Sequence, residues 1–329
     1  VSKILRVGIV GLGVMGNNHA RVVSESANLE LIGVVDPLTE FSARFEHNKL
    51  LMTLEQLIEL EPDYCVISAP TAYHKDIALQ LFRNNINVLI EKPLAHNLEA
   101  ATEILESSKN SLSKVAVGHI ERFNAAAQLA KIKIQNGLLG DIYQVLTSRQ
   151  GPFPSRIADV GVILDLATHD IDLISWLLEK KYKRISANVA RKAGRLNEDL
   201  VAITATLEND VIVNHVVNWL SPFKERNIMI LGEYGALKID TLNSDLIFFE
   251  NGTSFTDQSS ISHFHGVTQG QEVKFAFFKP EPLKIEHLNF EKHLQGLESS
   301  IVTIEEAYEV VRVAKAIGKS AEEKKVVHL

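Results

Sequence analysis

An aspartate, a histidine and a second aspartate recur at Asp165-x-x-x-His169-x-x-Asp172 inside the otherwise apolar run Gly161 to Ile174. At about 100° per helical residue they fall at roughly 0°, 40° and 340°, on one stripe of a helix. Three ionisable groups on a buried-looking face are costly unless they serve a site or satisfy one another in a structural network. A histidine oriented by carboxylates is suited to general-base work. Asp-x-x-x-His spacing also suits zinc, but the stretch offers no third or fourth ligand, so no metal is expected. A second chemical signal is Glu91-Lys92-Pro93, which follows the apolar run Asn87 to Ile90 and sets a cation at the end of a strand.

Gly11-Leu12-Gly13-Val14-Met15-Gly16 fits G-x-G-x-x-G between an apolar strand and a helical pattern. The three glycines allow a tight turn, close approach of the backbone to a pyrophosphate, and helix–strand packing. Asp36 closes the next strand at the offset expected of the acid that holds a ribose diol. Its carboxylate repels a 2′-phosphate, and Pro37-Leu38-Thr39-Glu40 offers no cation to offset it, so NAD is expected over NADP. Arg44, further along, is the one group that would argue for NADP. His19, one turn beyond the last glycine, reads as a packed helix-face histidine rather than a phosphate contact.

These residues need a scaffold. Strand-like runs at Ile4 to Val10, Glu30 to Asp36, Tyr64 to Ala69, Asn87 to Glu91 and Val115 to Gly118 alternate with helical patterns at Val14 to Ser26, Thr39 to His47, Thr53 to Leu60, Tyr73 to Arg83 and Asn97 to Lys109. That alternation predicts an α/β, Rossmann-like, doubly wound parallel sheet over residues 1–118, with ligands in the crevice at the carboxyl ends of the strands. Beyond it, a helix from Ala125 to Asn136 and an extended Asp141 to Arg149 precede the strand-like runs Leu200 to Leu207 and Val211 to Trp219 about a Glu208-Asn209-Asp210 turn. Residues 119–329 are therefore expected to be an α+β domain with a largely antiparallel open sheet. The final helix, Glu305 to Lys319, is free to pack back on the first domain.

Composition bounds the function. The 329 residues are 46% hydrophobic and 23% charged, as in a folded globular protein. Lys and Arg total 34 against 41 Asp and Glu, a net charge of −7, which supplies no positive field for nucleic acid. A lone Cys65 can form no internal disulfide, no apolar run is long enough to span a bilayer, and no basic-then-apolar leader is seen. A cytoplasmic location, without membrane or nucleic-acid partners, is expected. His263-Phe264-His265 lacks acids at ligand spacing, and Cys65 sits in an apolar strand as an inert thiol.

Taken together, Gly11-x-Gly13-x-x-Gly16 with His19, Glu91-Lys92-Pro93 and Asp165-x-x-x-His169-x-x-Asp172 resemble the Gfo/Idh/MocA oxidoreductase family, as do Pro70-Thr71-x-x-His74 and the closing run Thr303 to Ala321. The resemblance implies cofactor contacts from Gly11, Gly13, Val14, Met15, Gly16, Asp36, Pro70, Thr71, His74, Glu91 and Lys92. It also implies that Lys92 contacts the reacting hydroxyl, that His169 takes its proton, and that Asp165 binds a neighbouring hydroxyl or assists the transfer. A homodimer or homotetramer is implied as well. Gly118 to Asn124 and Gly151 to Leu166 look like the branch that holds UDP-N-acetylglucosamine 3-dehydrogenases. That branch implies oxidation of the sugar 3-hydroxyl of a nucleotide-sugar. Arg122, Arg149 and Arg156 are then candidate phosphate forks, although each is equally readable as an ion-pair residue. Asn124 is a candidate sugar contact or a helix cap. An inositol- or aldose-type polyol is the alternative substrate, and a non-catalytic NAD-binding regulator the remoter one.

Overall fold

The apolar runs of the first third pair in parallel. In a computed structural model, which describes residues 3–37, 51–154, 160–252 and 269–329, β1 (Leu5–Val10), β2 (Leu29–Val35), β3 (Tyr64–Ile67), β4 (Asn87–Glu91) and β5 (Val115–Gly118) form one sheet in the order β2-β1-β3-β4-β5. The crossover helices are α1 (Val14–Glu25), α2 (Leu54–Glu59), α3 (His74–Arg83) and α4 (Leu98–Lys109). Their starts are set by local chemistry. Thr53 makes a reciprocal capping box with Gln56, and the Asn97 side chain accepts from the Ala100 N–H. Strand β3 stops two residues short of the expected Ala69 because Ser68 turns its hydroxyl onto the Gly11 carbonyl at 2.8 Å. The helix expected at Thr39 to His47 lies outside the described residues.

The chain divides into two compact units, Val1–Ile120 with Leu283–Arg312 and Glu121–Pro282 with Val313–Leu329. The first therefore includes α7 (Pro282–Leu294) from Leu283 onward and the first half of α8 (Ile304–Glu323). Phe290 of α7 meets Tyr64 edge-on at 5.2 Å between ring centroids, and Ile304, Ala307 and Val311 join the core with Ile90 and Val117.

In the second unit, α5 (Ala125–Gln135) precedes β6 (Ile142–Pro152). A single π-helical turn, Ile163–Ala167, runs directly into α6 (Thr168–Leu178). Strands β7 (Tyr182–Ala190), β8 (Leu200–Leu207), β9 (Ile212–Asn218), β10 (Leu220–Gly232), β11 (Gly235–Asp240), β12 (Asp245–Asn251), β13 (Gln269–Lys274) and β14 (Val327–His328) follow, with α7 and α8 between the last two. The nine-stranded sheet runs β13-β12-β11-β10-β6-β9-β8-β7-β14, antiparallel except for the β6–β9 pair. An α/β parallel sheet joined to an α+β, largely antiparallel sheet is the fold class expected from the sequence. Among the described residues no helix is long and apolar enough to cross a membrane.

Candidate active site

The glycine loop is shaped for a dinucleotide. Gly11 takes φ +97°, and a Cβ there would strike the Ala69 backbone; one at Gly16 would strike the Gly11 carbonyl. At Gly13 nothing lies within 4 Å of where a Cβ would stand, so the loop keeps an open cradle that a side chain would fill. Gly13 also caps α1 with no side-chain hydrogen bond, which leaves the first-turn N–H groups to an anion. Asp36 reaches the loop at Leu12, whose N–H donates to Asp36 Oδ2 at 2.6 Å. Open cradle, uncapped helix start and acid at the end of β2 fit NAD: the loop for its pyrophosphate, the acid for its ribose.

Two other expected contacts are more internal. His74 is buried, its Nε2 2.9 Å from the Ala69 carbonyl and its Nδ1 3.1 Å from the Pro93 carbonyl. Burial lowers its pKa, so the ring is a neutral brace between the ends of β3 and β4 rather than an open ligand group. Pro70 and Thr71 start the short 3₁₀ turn ahead of α3. Glu91 is buried too; its Oε2 accepts from the Lys92 N–H at 3.2 Å, and its Oε1 lies 2.8 Å from His19 Nε2. From His19 a buried line continues through His287 Nε2 at 2.9 Å to Tyr64 Oη, 2.9 Å from His287 Nδ1. Burial, and then the neighbouring His19, hold the His287 pKa well below its usual value. Lys92 itself is half-buried at the end of β4.

In the second unit Asp165 sits in the π turn and His169 in the first turn of α6, the aspartate buried and the histidine partly so. A wide π turn changes the residues per turn, so the regular 100° stripe predicted for Asp165, His169 and Asp172 does not carry through. Glu198 secures the start: its carbonyl accepts from the Val162 N–H at 3.1 Å and its Oε1 from the Ile163 N–H at 3.1 Å. Asp172 belongs to a different contact. Arg122 grips it with two prongs, Nε to Oδ2 at 2.8 Å and the second guanidinium nitrogen to Oδ1 at 2.6 Å.

That pairing corrects the reading of Arg122 as a substrate contact, since its side chain is 4% exposed and spent on Asp172. Arg149 is likewise buried, donating to Asp170 Oδ1 at 2.8 Å and Glu121 Oε1 at 3.0 Å. Asn124 is the cap rather than a sugar ligand: Oδ1 accepts from the Ala126 N–H at 3.0 Å, while Nδ2 donates to the Thr241 carbonyl and the Ser244 hydroxyl. Arg156 lies outside the described residues, as do Arg44 and His263 to His265.

Arg226 was not anticipated. It is about one-third exposed, donates to Glu121 Oε1 at 3.1 Å, and feels the charges of Arg149 and Asp165. Burial would raise the Glu121 pKa, but Arg149 and Arg226 outweigh it and hold the carboxyl below its ordinary value. Alternating polarity along β10 is the only sequence signal that could have singled out Arg226.

Residues 5–119 match the family model described as an oxidoreductase family with an NAD-binding Rossmann fold, and residues 127–238 match the Gfo/Idh/MocA C-terminal domain. The chain belongs to the Gfo/Idh/MocA oxidoreductase family. Among its curated relatives, an inositol 2-dehydrogenase of Acidothermus cellulolyticus is 26% identical over 64% of this chain and 65% of that protein, just under two thirds of its length. A UDP-N-acetylglucosamine 3-dehydrogenase of Acidithiobacillus ferrooxidans is 27% identical over 75% of this chain and 78% of that one. The solved structure of the latter aligns at a TM-score of 0.83, 23% identity, over 97% of this chain and 98% of that one. A Bordetella pertussis dehydrogenase in complex with NADH and UDP-GlcNAcA aligns at 0.84 with 20% identity, over 100% and 99%. At these identities the structural likeness shows the fold. This Gfo/Idh/MocA protein is thus an NAD-binding oxidoreductase whose named relatives are dehydrogenases of sugar and polyol CH–OH groups.

Proposed function

We propose that this protein oxidises a sugar-ring hydroxyl with NAD, and that its substrate is a nucleotide-sugar oxidised at the 3-hydroxyl, UDP-N-acetylglucosamine or a close analogue. The observation that carries the chemistry is the helix holding Asp165 and His169 at a start fixed by Glu198. The substrate rests on the resemblance of Gly118 to Asn124 and Gly151 to Leu166 to that branch, with the Acidithiobacillus relative in support. Bound NAD supplies a hydride acceptor at its nicotinamide. Gly13 lets its pyrophosphate approach the first-turn N–H groups of α1, Gly11 and Gly16 shape the turn and the packing, and Asp36 accepts from its ribose hydroxyls. Lys92 contacts the reacting hydroxyl and stabilises alkoxide character; His169 takes the hydroxyl proton; Asp165 binds a neighbouring hydroxyl. With Arg122 and Arg149 committed internally, Arg226 and Arg156 are the guanidinium groups left for substrate phosphate.

A second reading, an inositol- or aldose-type polyol, draws support from the same burial of Arg122 and Arg149, which removes two of the three expected phosphate forks, and from the inositol dehydrogenase relative. The two separate by NADH formation at 340 nm against UDP-N-acetylglucosamine, UDP-glucose, glucose, glucose 6-phosphate and myo-inositol, with α-ketoglutarate added in parallel to recycle retained NADH. Turnover confined to a UDP-sugar supports the first reading; turnover with only a free polyol or hexose overturns it. We also propose homo-oligomer formation through the open sheet face, where Leu146, Ile212 and Val216 remain exposed.

A further inference from the structure

Behind the end of β4, three buried acid and imidazole groups converge within the first unit. His19 from α1, Glu91 from β4 and Glu286 from α7 are 0%, 6% and 2% exposed. One ligand atom from each lies within 4.8 Å of the others. Both Glu286 carboxyl oxygens are buried with no hydrogen-bond partner. Native structures rarely leave such a group unmatched, and an ion is one of the standard explanations.

We propose that His19, Glu91 and Glu286 form a binding site for one first-row divalent cation of the zinc or manganese type. No donor meets either Glu286 oxygen, and burial and then the Glu91 charge push its carboxyl pKa well up, so the anion is stable there only with a cation beside it. Ligands about 2.0–2.1 Å from a tetrahedral zinc stand roughly 3.3 Å apart, so His19 Nε2 and Glu91 Oε1, 2.8 Å apart at hydrogen-bond distance, open by about half an ångström to admit the ion. The surroundings agree. A metal-bound imidazole donates its other N–H to an outer partner. His19 Nδ1 has His287 Nε2 at 2.9 Å, and His287 Nδ1 can donate in turn to Tyr64 Oη. Two carboxylates, a neutral imidazole and a dication sum to zero charge, which removes the cost of two bare buried acids. One nitrogen and two oxygen donors suit zinc or manganese better than calcium, which takes six to eight oxygens. The ligands are 72 and 195 residues apart in the chain, so no local spacing announces them. Bound there, the ion pins α7 to α1 and to β4, just ahead of Lys92.

The test is metal content. Wild-type protein is dialysed against EDTA, incubated with Zn²⁺, or with Mn²⁺ in parallel, gel-filtered and measured by ICP-MS, with the thermal midpoint recorded. One ion per chain and a midpoint raised by several degrees are expected. Glu286→Gln should fall to background, and the double variant His263→Ala/His265→Ala should keep its ion. X-ray absorption at the zinc edge of the wild type, which needs no variant to fold, should show mixed oxygen and nitrogen ligands. Background metal in the wild type, an undiminished ion in Glu286→Gln, or an all-histidine shell would each overturn the proposal. So would a metal-free wild type that Glu286→Gln stabilises, because the two acids would then be bridged by water.

Discussion

Arg122 and Asp172 form a buried, two-pronged ion pair that ties the segment after β5 to the middle of α6, with side chains 4% and 1% exposed. Removing one partner would strand a charge in the interior. Arg122→Ala should therefore destabilise the fold by about 3–5 kcal/mol, and Arg122→Lys should recover only part of that, because an ammonium cannot match both carboxylate oxygens. Urea unfolding measures the loss. A variant with unchanged stability but a raised KM for a UDP-sugar would instead return Arg122 to the substrate.

His169→Ala should lower kcat by ~10²-fold or more with little change in NADH affinity. NADH affinity is read by fluorescence titration, turnover by NADH formation. An equal loss of both would make the histidine a structural element of its helix.

Gly161 has no room for a side chain: a Cβ there would collide with the Glu198 carboxyl that accepts from the Ile163 N–H. Gly161→Ala should push that carboxylate off the helix start, costing about 1–2 kcal/mol as a lost cap and shifting Asp165. The expected signature is a reduced kcat alongside wild-type NADH binding; wild-type kinetics would show that the start of the helix tolerates the displaced acid.

Asp36→Asn keeps an acceptor for the Leu12 N–H but removes the charge that repels a 2′-phosphate. The ratio of kcat/KM for NAD over NADP should fall by about tenfold, some 1.4 kcal/mol. An unchanged ratio would place cofactor choice in residues other than Asp36.

His215 sets an acid limit. It is buried between Thr147, 2.8 Å from its Nδ1, and Tyr182, 2.9 Å from its Nε2. Burial is the largest influence and lowers its pKa from 6.5 to about 4, against the opposing pull of Asp170. Between those values the unfolded chain binds a proton that the folded one does not. The stability due to the neutral ring is thus whole above pH 6.5 and is lost as pH falls toward 4, by about 3 kcal/mol at most. Urea unfolding across that window should show the loss, and His215→Gln should flatten it; a wild-type curve flat from pH 7 to 4.5 would contradict the depressed pKa.

Local pattern was enough for β4 and β5, whose ends fall where alternation and turn residues place them, and for the glycine loop, where Gly11 and Gly16 have no room for a side chain. It was also enough to single out Lys92, Asp165 and His169 as candidates, because polar residues in apolar runs are conspicuous along one strand or helix. Helix α7 was missed for the converse reason. Its buried face is Leu283, Glu286, His287, Phe290 and Glu291, and three ionisable groups among five erase the apolar period that announces a helix. Strand β7 hid behind Lys183 and Arg184, which look like a basic helix end until pairing with β8 makes them the solvent side of a strand.

What the chain determined alone was the fold class and the glycine loop, which follow from local periodicity and backbone geometry. Only the tertiary structure decided which arginines are available for a ligand. A guanidinium has the same charge and reach wherever it stands; each of Arg122, Arg149 and Arg226 pairs with an acid, but folding buries the first two and leaves Arg226 about one-third exposed. The same holds for Glu286: burial beside Glu91 and His19 comes from elements far apart in the chain, and that proximity, not the residue type, gives the carboxyl its significance.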